Sequence, residues 1–491
     1  MSDDTPRFAT RDSSPLELAL DWGWAATFFL AASVLAVLAL PAYPLRLPLF
    51  VSGFALIAFA CFAYTRAGHG FDVLHPCYGL FLLLFLYAFS SALFIETEGT
   101  TYFGEALLAG VYPRYYATCM AGAGGLACGL ALRRFSGVVQ TAVWPVPEAA
   151  NVDLRRTMLW CCLALCILFL PWIAPKFSFW SVRSYYEVAL SSRVERLGDD
   201  SLGTVDVLTL YLPIVLLLAV CAWAMQDAAL AWWQRLLALA AFVAYAATGF
   251  LAGERYTILY CGLVFFAYRH FRIAPIRASH ALLVGVAAYF LMNLIPILRG
   301  SSDPVQMWRA LQDNIADSGL SDFSLTYSGE LATATNLARH IQGILTGESE
   351  FNFGGTVMND LLVWIPRILY PDRPLPSSEL FVETFYPGVR DRGGGYGFFI
   401  LQEGYWAFGI PGAFVFMAAF GWAVDGLYRV MWRWQRYDLA VFLYAAIYAD
   451  VVMAAVRSGI LGSFKAAMLH AVPFAFVLLV HRLRTRRKAA S

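Results

Sequence analysis

Apolar runs long enough to cross a ~30 Å hydrocarbon layer as helices recur along this 491-residue chain. Reading for them places twelve spans, at 22–40, 47–64, 74–95, 115–132, 158–174, 207–225, 236–251, 258–271, 282–298, 399–422, 439–456 and 461–480. Between the ninth and the tenth the pattern changes character. From Arg299 to about Gly397 the chain turns polar and rich in Gly and Pro. Two helices are expected inside this stretch. Val305, Trp308, Leu311 and Ile315 recur at helical spacing, as do Leu331, Leu337, Ile341 and Ile344, with Asp322 as a candidate cap of the second. Residues 356–365 are apolar but too few to span, and Pro366 ends them; they read as a helix lying in the membrane interface or dipping partway in. The expected fold class is all-α. It is a polytopic membrane protein in three parts: nine spans in 1–298, a large helical loop in 299–397, and three spans with a basic tail in 398–491.

Basic side chains orient such a chain, because they stay on the cytoplasmic face. Arg133, Arg134, Arg155 and Arg156 follow the fourth span; Arg269, Arg272 and Arg277 follow the eighth; Arg429, Arg433 and Arg436 follow the tenth. The tail ends Arg482, Arg484, Arg486, Arg487, Lys488. Twelve spans put all four clusters and both termini on one side, whereas an error of one span would split them. The largest connections, 175–206 and 299–397, then face the opposite, outer side. The first 21 residues are polar and mixed in charge, without the basic start and short apolar core of a signal peptide, so the first span is expected to stay in the membrane.

Composition agrees: 60% of residues are hydrophobic and 14% charged, too few charges for a water-facing surface of this size. A net charge of +1 gives no electrostatic case for nucleic acid. Lysine occurs only at 176, 465 and 488, and every other base is arginine. Codon bias explains that, and so does a need for planar forks that hold phosphate or carboxylate. None of the nine cysteines lies in the long polar stretch, so they read as small buried hydrophobes rather than as a disulfide or zinc framework. Gly122, Gly124, Gly125 and Gly129 suit close helix packing. No phosphate-binding Gly-Lys loop or zinc-protease motif is present, and no metal or other cofactor is expected.

Charges at membrane depth are site candidates. Glu403 lies about two turns inside the tenth span, and Pro411 should break that helix near Phe408–Gly409. Asp450 and Arg457 are seven residues apart on the eleventh span and should share a face. Arg255, in the turn Gly253-Glu254-Arg255, and Arg299 close spans at the outer end, and the loop adds Arg367, Arg373, Arg390 and Arg392. Guanidinium forks bind phosphate oxygens, a carboxylate can take a proton from a hydroxyl, and aromatic faces such as Trp180, Trp364, Tyr370, Tyr386, Tyr396 and Trp406 can stack on sugar rings or form an interfacial belt. A lipid diphosphate carrying sugars fits that set.

One stretch, Ile365-Pro366-Arg367-x-x-Tyr370-Pro371-x-Arg373-Pro374, resembles the Ile-Pro-Arg…Pro-x-Lys-Pro signature of the Wzy-type O-antigen (oligosaccharide repeat-unit) polymerases. Glu403-Gly404-Tyr405-x-x-Phe408-Gly409-x-x-Gly412 resembles that family's entry into the span after its large outer loop, and Gly253-Glu254-Arg255 its earlier Arg-bearing turn. Gln402 stands where the family often has glycine, and Ala407 where asparagine is common. The specific similarity covers about 352–412. It implies a glycosyltransferase of the bacterial inner membrane that moves a growing glycan from undecaprenyl diphosphate onto a second lipid-linked repeat unit, as in lipopolysaccharide or exopolysaccharide biosynthesis. In that reading Arg255, Arg299, Arg367, Arg373 and Arg457 meet the diphosphate, Glu403 is base or orienting group, Asp450 assists, and Tyr396 and Tyr405 contact sugar. A chain-length regulator is a candidate partner. The alternatives are a ligase that transfers a finished glycan and, in a different class, a glycan-lipid flippase.

Overall fold

The computed structural model describes residues 46–69, 72–135, 148–173, 212–251, 255–298, 304–318, 324, 331–365, 369–389 and 396–490. It forms two units, Met1–Asp72 and Val73–Ser491. Helix α1 (Arg46–His69) represents the first; the expected span at 22–40 lies outside the described residues. The second unit holds α2 (Pro76–Glu98), α3 (Val111–Phe135), α4 (Glu148–Leu168), α5 (Leu212–Gln226), α6 (Trp232–Leu251), α7 (Arg255–Tyr268) and α8 (Ala278–Leu298). The loop adds α9 (Pro304–Ser318), α10 (Thr335–Thr346), α11 (Gly355–Leu362) and α12 (Ser377–Phe385). The chain closes with α13 (Ile400–Trp434), α14 (Asp438–Tyr448) and α15 (Ile460–Ala490). Among the described residues there is no strand, only isolated bridges between Thr100 and Ala106 and between Phe398 and Ser458.

Among the described residues, five stretches are long and apolar enough to cross a bilayer: Pro76–Glu98, Val111–Leu132, Ile400–Trp434, Asp438–Ser458 and Ile460–Arg486. This is the build of a membrane protein. Two of the basic clusters meet at one end of the bundle. Arg155 of α4 and Arg272, just past α7, both pair with Asp438 at the start of α14, the latter at 2.6 Å, and Asn151 donates to the Arg436 carbonyl at 2.6 Å.

The expected close packing of the glycine run is realised between α3 and α13. A Cβ on Gly125 would lie 2.2 Å from the Phe414 carbonyl oxygen, one on Gly129 2.0 Å from that of Ala418, and one on Gly421 2.7 Å from that of Leu126. Only hydrogen fits between backbones that close, which is how helices without a hydrophobic driving force gain dispersion contacts.

The expected break in α13 is also present. Phe408 (φ −146°, ψ 21°) and Gly409 (φ 68°, ψ −149°) leave helical geometry just before Pro411. The loop docks on the break: Asn352 N–H donates to the Trp406 carbonyl at 3.1 Å, and Trp406 Nε1–H to the Glu350 carbonyl at 3.2 Å. Helix α14 departs from expectation. A π turn, Ala449–Ala454, interrupts it before it resumes as Ala455–Ser458. The wider turn alters the spacing between Asp450, which is buried, and Arg457, which is exposed near the helix end.

In the loop, α9 and α10 match the spacing of their apolar residues, with a 3₁₀ turn (Leu331–Ala334) leading into α10. Asp322 lies outside the described residues. Helix α11 ends short of Pro366, as expected, and α12 is an element the sequence reading did not contain. Phe381, Val382 and Phe385 of α12, with Tyr386 just past its end, pack on Phe398 and Trp406. His340 is fully buried among these rings, edge-on to Trp406 at 4.5 Å. Burial, reinforced by the neighbouring Arg339 charge, lowers its pKa to about 3, so it sits there neutral.

Candidate functional site

Four helices converge on Glu403. Gly459 ends the α14 segment with φ 82°, a left-handed turn that favours glycine, and α15 starts at the next residue. The first amides of a 31-residue helix then point at Glu403: Ile460 N–H donates to Oε2 at 2.6 Å and Leu461 N–H to Oε1 at 3.2 Å. A carboxylate there satisfies orphan donors and meets the positive end of the helix dipole. Since α13 begins at Ile400, Glu403 lies in its first turn, not two turns inside. The start of α13 is itself pinned. Phe398 N–H donates to the Arg457 carbonyl at 2.7 Å, Asn336 Nδ2–H to that of Gly397 at 2.6 Å, and Gln402 Nε2–H to that of Asn336 at 3.2 Å.

The second carboxyl is Asp360 of α11. It accepts Ser377 N–H at 2.8 Å and Ser377 Oγ–H at 2.5 Å, capping α12. Its carboxyl interacts electrostatically with that of Glu403. Burial holds Asp360 above the ordinary carboxylate range, against the pull of Ser377 and Glu403. Both residues are nearly inaccessible, at 6% and 1% exposure. Two cations stand at the next turn of α11. Arg373 Nη1 donates to the Val363 and Ile365 carbonyls at 2.8 and 3.0 Å, and Lys465 Nζ of α15 reaches the Val363 carbonyl at 2.9 Å.

The other sequence candidates divide. Arg457 lies two residues from Gly459, with its side chain exposed and its Cγ against Gly397. Asp450 is elsewhere: its Oδ1 accepts Tyr256 Oη–H at 2.5 Å and its Oδ2 lies 2.6 Å from His470 Nδ1. Tyr260 stacks on His470 at 5.7 Å. Tyr405 is buried and packs on Phe351 and His340, and Tyr396 packs on Phe103 at 4.0 Å, so neither presents a free face. Arg255 opens α7, with its side chain outside the described set, and Arg299 and Arg367 lie outside the described residues. Among the described residues no three His, Cys, Asp or Glu side chains gather as a metal site.

Sequence reasoning missed Asp360, Lys465, His470 and Tyr256. The rule that selected Asp450 applies equally to His470, a titratable group inside an apolar run. Asp360 is the one charge in the apolar stretch 356–365 and carried the same signal. No protein-family model, characterised protein or solved structure matches the chain.

Proposed function

We propose that this chain is a membrane glycosyltransferase that polymerises oligosaccharide repeat units carried on a polyprenyl diphosphate, with twelve spans, both termini in the cytoplasm and the 299–397 loop on the periplasmic face of the inner membrane. The observation that carries the reading is the pair of buried carboxyls Asp360 and Glu403. It lies where the loop meets the first turns of α13 and α15, beside Arg373, Lys465 and Arg457. The acceptor sugar hydroxyl attacks the anomeric carbon of the donor glycan, its proton passes to the carboxyl pair, and the bond to the diphosphate breaks. Charge grows on the leaving diphosphate, so cations placed there stabilise the transition state more than the ground state. Both carboxyls are covered in this conformation. The reading therefore requires α11 to lift from α15 to admit the acceptor.

The test is incubation of the purified protein with a defined lipid-linked repeat unit. A ladder of products supports a polymerase, a single transfer a ligase, and no chemistry removes the enzyme reading. One observation favours a flippase as the second reading: the buried Asp450–His470–Tyr256 group and the broken α13 are features of transporters. Movement of labelled lipid across vesicles without new glycosidic bonds distinguishes it.

A further inference from the structure

The 99–110 connection between α2 and α3 is clamped to one face of α10. Thr335 Oγ1 accepts Tyr102 N–H at 3.4 Å, and Gln342 Oε1 accepts Leu108 N–H at 3.1 Å. Between them, Arg339 Nε lies 2.6 Å from Glu105, while the two terminal nitrogens hold both oxygens of Glu348 at 2.7 Å. The positions 335, 339 and 342 form one helical stripe. The opposite face of α10 carries Asn336 and His340 against the start of α13. A single helix thus joins the clamp to the Glu403 region.

This clamp holds two aromatic side chains out: Tyr102 is 41% exposed and Phe103 38%. Phe103 is not loose. Its ring lies 4.0 Å from Tyr396, 5.1 Å from Tyr386 and 5.6 Å from Tyr102. The acids beside it are half-open, at 34% for the Glu105 side chain and 41% for Glu348. Burial, with Glu348 adding to it against the opposing Arg339, raises the Glu105 carboxyl. Under the platform the Tyr386 hydroxyl is buried with no hydrogen-bond partner. The residue is 9% exposed, and burial, then Glu105, raise its phenol, so the hydroxyl keeps its proton as a donor without an acceptor. An orphan buried donor costs ~1–3 kcal/mol unless something binds to it.

We propose that Tyr102 and Phe103, with Glu105 and the Tyr386 hydroxyl, form a saccharide-binding subsite. An aromatic face carries negative charge that attracts the C–H face of a pyranose. A positioned carboxylate accepts the ring's hydroxyls, and an unpaired phenol donates to a sugar oxygen. An amine held in an aromatic–acidic cage is the nearest rival, but an ammonium offers no acceptor to Tyr386. The inference rests on the glycan reading above and adds the place where the glycan is gripped.

The test uses the full-length protein in detergent on an array of lipid-free oligosaccharides from bacterial surface polysaccharides, with choline as competitor. The subsite predicts binding of a subset of sugars that choline does not displace. Phe103→Ala should weaken that binding tenfold or more, and so should Tyr386→Phe, which removes only an unpaired oxygen and leaves the melting temperature unchanged or higher. No bound sugar, displacement by choline, or equal binding by both variants would overturn it. Sugar binding without chain growth would retain the subsite and reject the polymerase; chain growth with an unchanged acceptor KM in Phe103→Ala would do the reverse.

Discussion

Asp360 and Glu403 are two buried, interacting carboxyls, and each holds the start of a different helix. Asp360 caps α12 and Glu403 caps α15. Loop and bundle therefore bring two buried carboxyls together, and that arrangement can be tested without knowing the substrate.

The first test is pH. The folded pKa of Asp360 is raised above its ordinary 3.8, so its contribution to stability is fully present below that value and lost as pH rises through the raised one. Asp360→Asn imitates the protonated state, since its side chain is neutral at every pH. Melting curves from pH 4 upward should show the variant holding its stability where the wild type loses some. Parallel curves would contradict the raised Asp360 carboxyl.

A second pH effect runs the other way. His340 is pushed down from 6.5 to about 3, so the unfolded chain takes up a proton that the folded chain refuses, and stability falls as pH drops through that window. His340→Phe should flatten this acid arm while leaving the curve above pH 7 nearly unchanged.

Helix packing gives a contrast between glycines. Gly125→Val or Gly129→Val drives a side chain into the α13 backbone and should cost about 3 kcal/mol or more, or abolish folding. Gly262 of α7 has nothing within 4 Å of its would-be Cβ, and Gly262→Ala should be neutral or stabilising by up to about 1 kcal/mol. Thermal unfolding of the three variants in one detergent decides it.

The Asp450–His470 contact predicts strong non-additivity. His470→Leu removes one of the two partners of a buried carboxyl and should destabilise by about 3 kcal/mol or more; with Asp450→Asn added, much of that loss should return. A double-mutant cycle with a coupling near zero would mean the two groups do not form a pair.

Much of the fold was legible because its rules are local. Backbone satisfaction in lipid forces helices, the glycine run signalled close helix packing though not its partner α13, and Pro411 specified the break. The π turn was not legible, because no residue type encodes it, and with it went the spacing between Asp450 and Arg457. Helix α12 was hidden because its cap, Asp360, lies 17 residues earlier in the chain. The site was half visible. Glu403 stood out as a charge in an apolar run, but its partners come from α11 and the start of α15, joined only by tertiary packing. Tyr396 and Tyr405 resemble exposed aromatics in sequence and are packed side chains in the fold.

The most direct measurement of the central claim is the product pattern of purified wild-type protein and Glu403→Gln on one lipid-linked repeat unit, with melting temperatures recorded alongside. The account predicts a ladder from the wild type and at least a hundredfold slower chain growth from a variant that still folds. Equal ladders from both, or no product from the wild type, would contradict it.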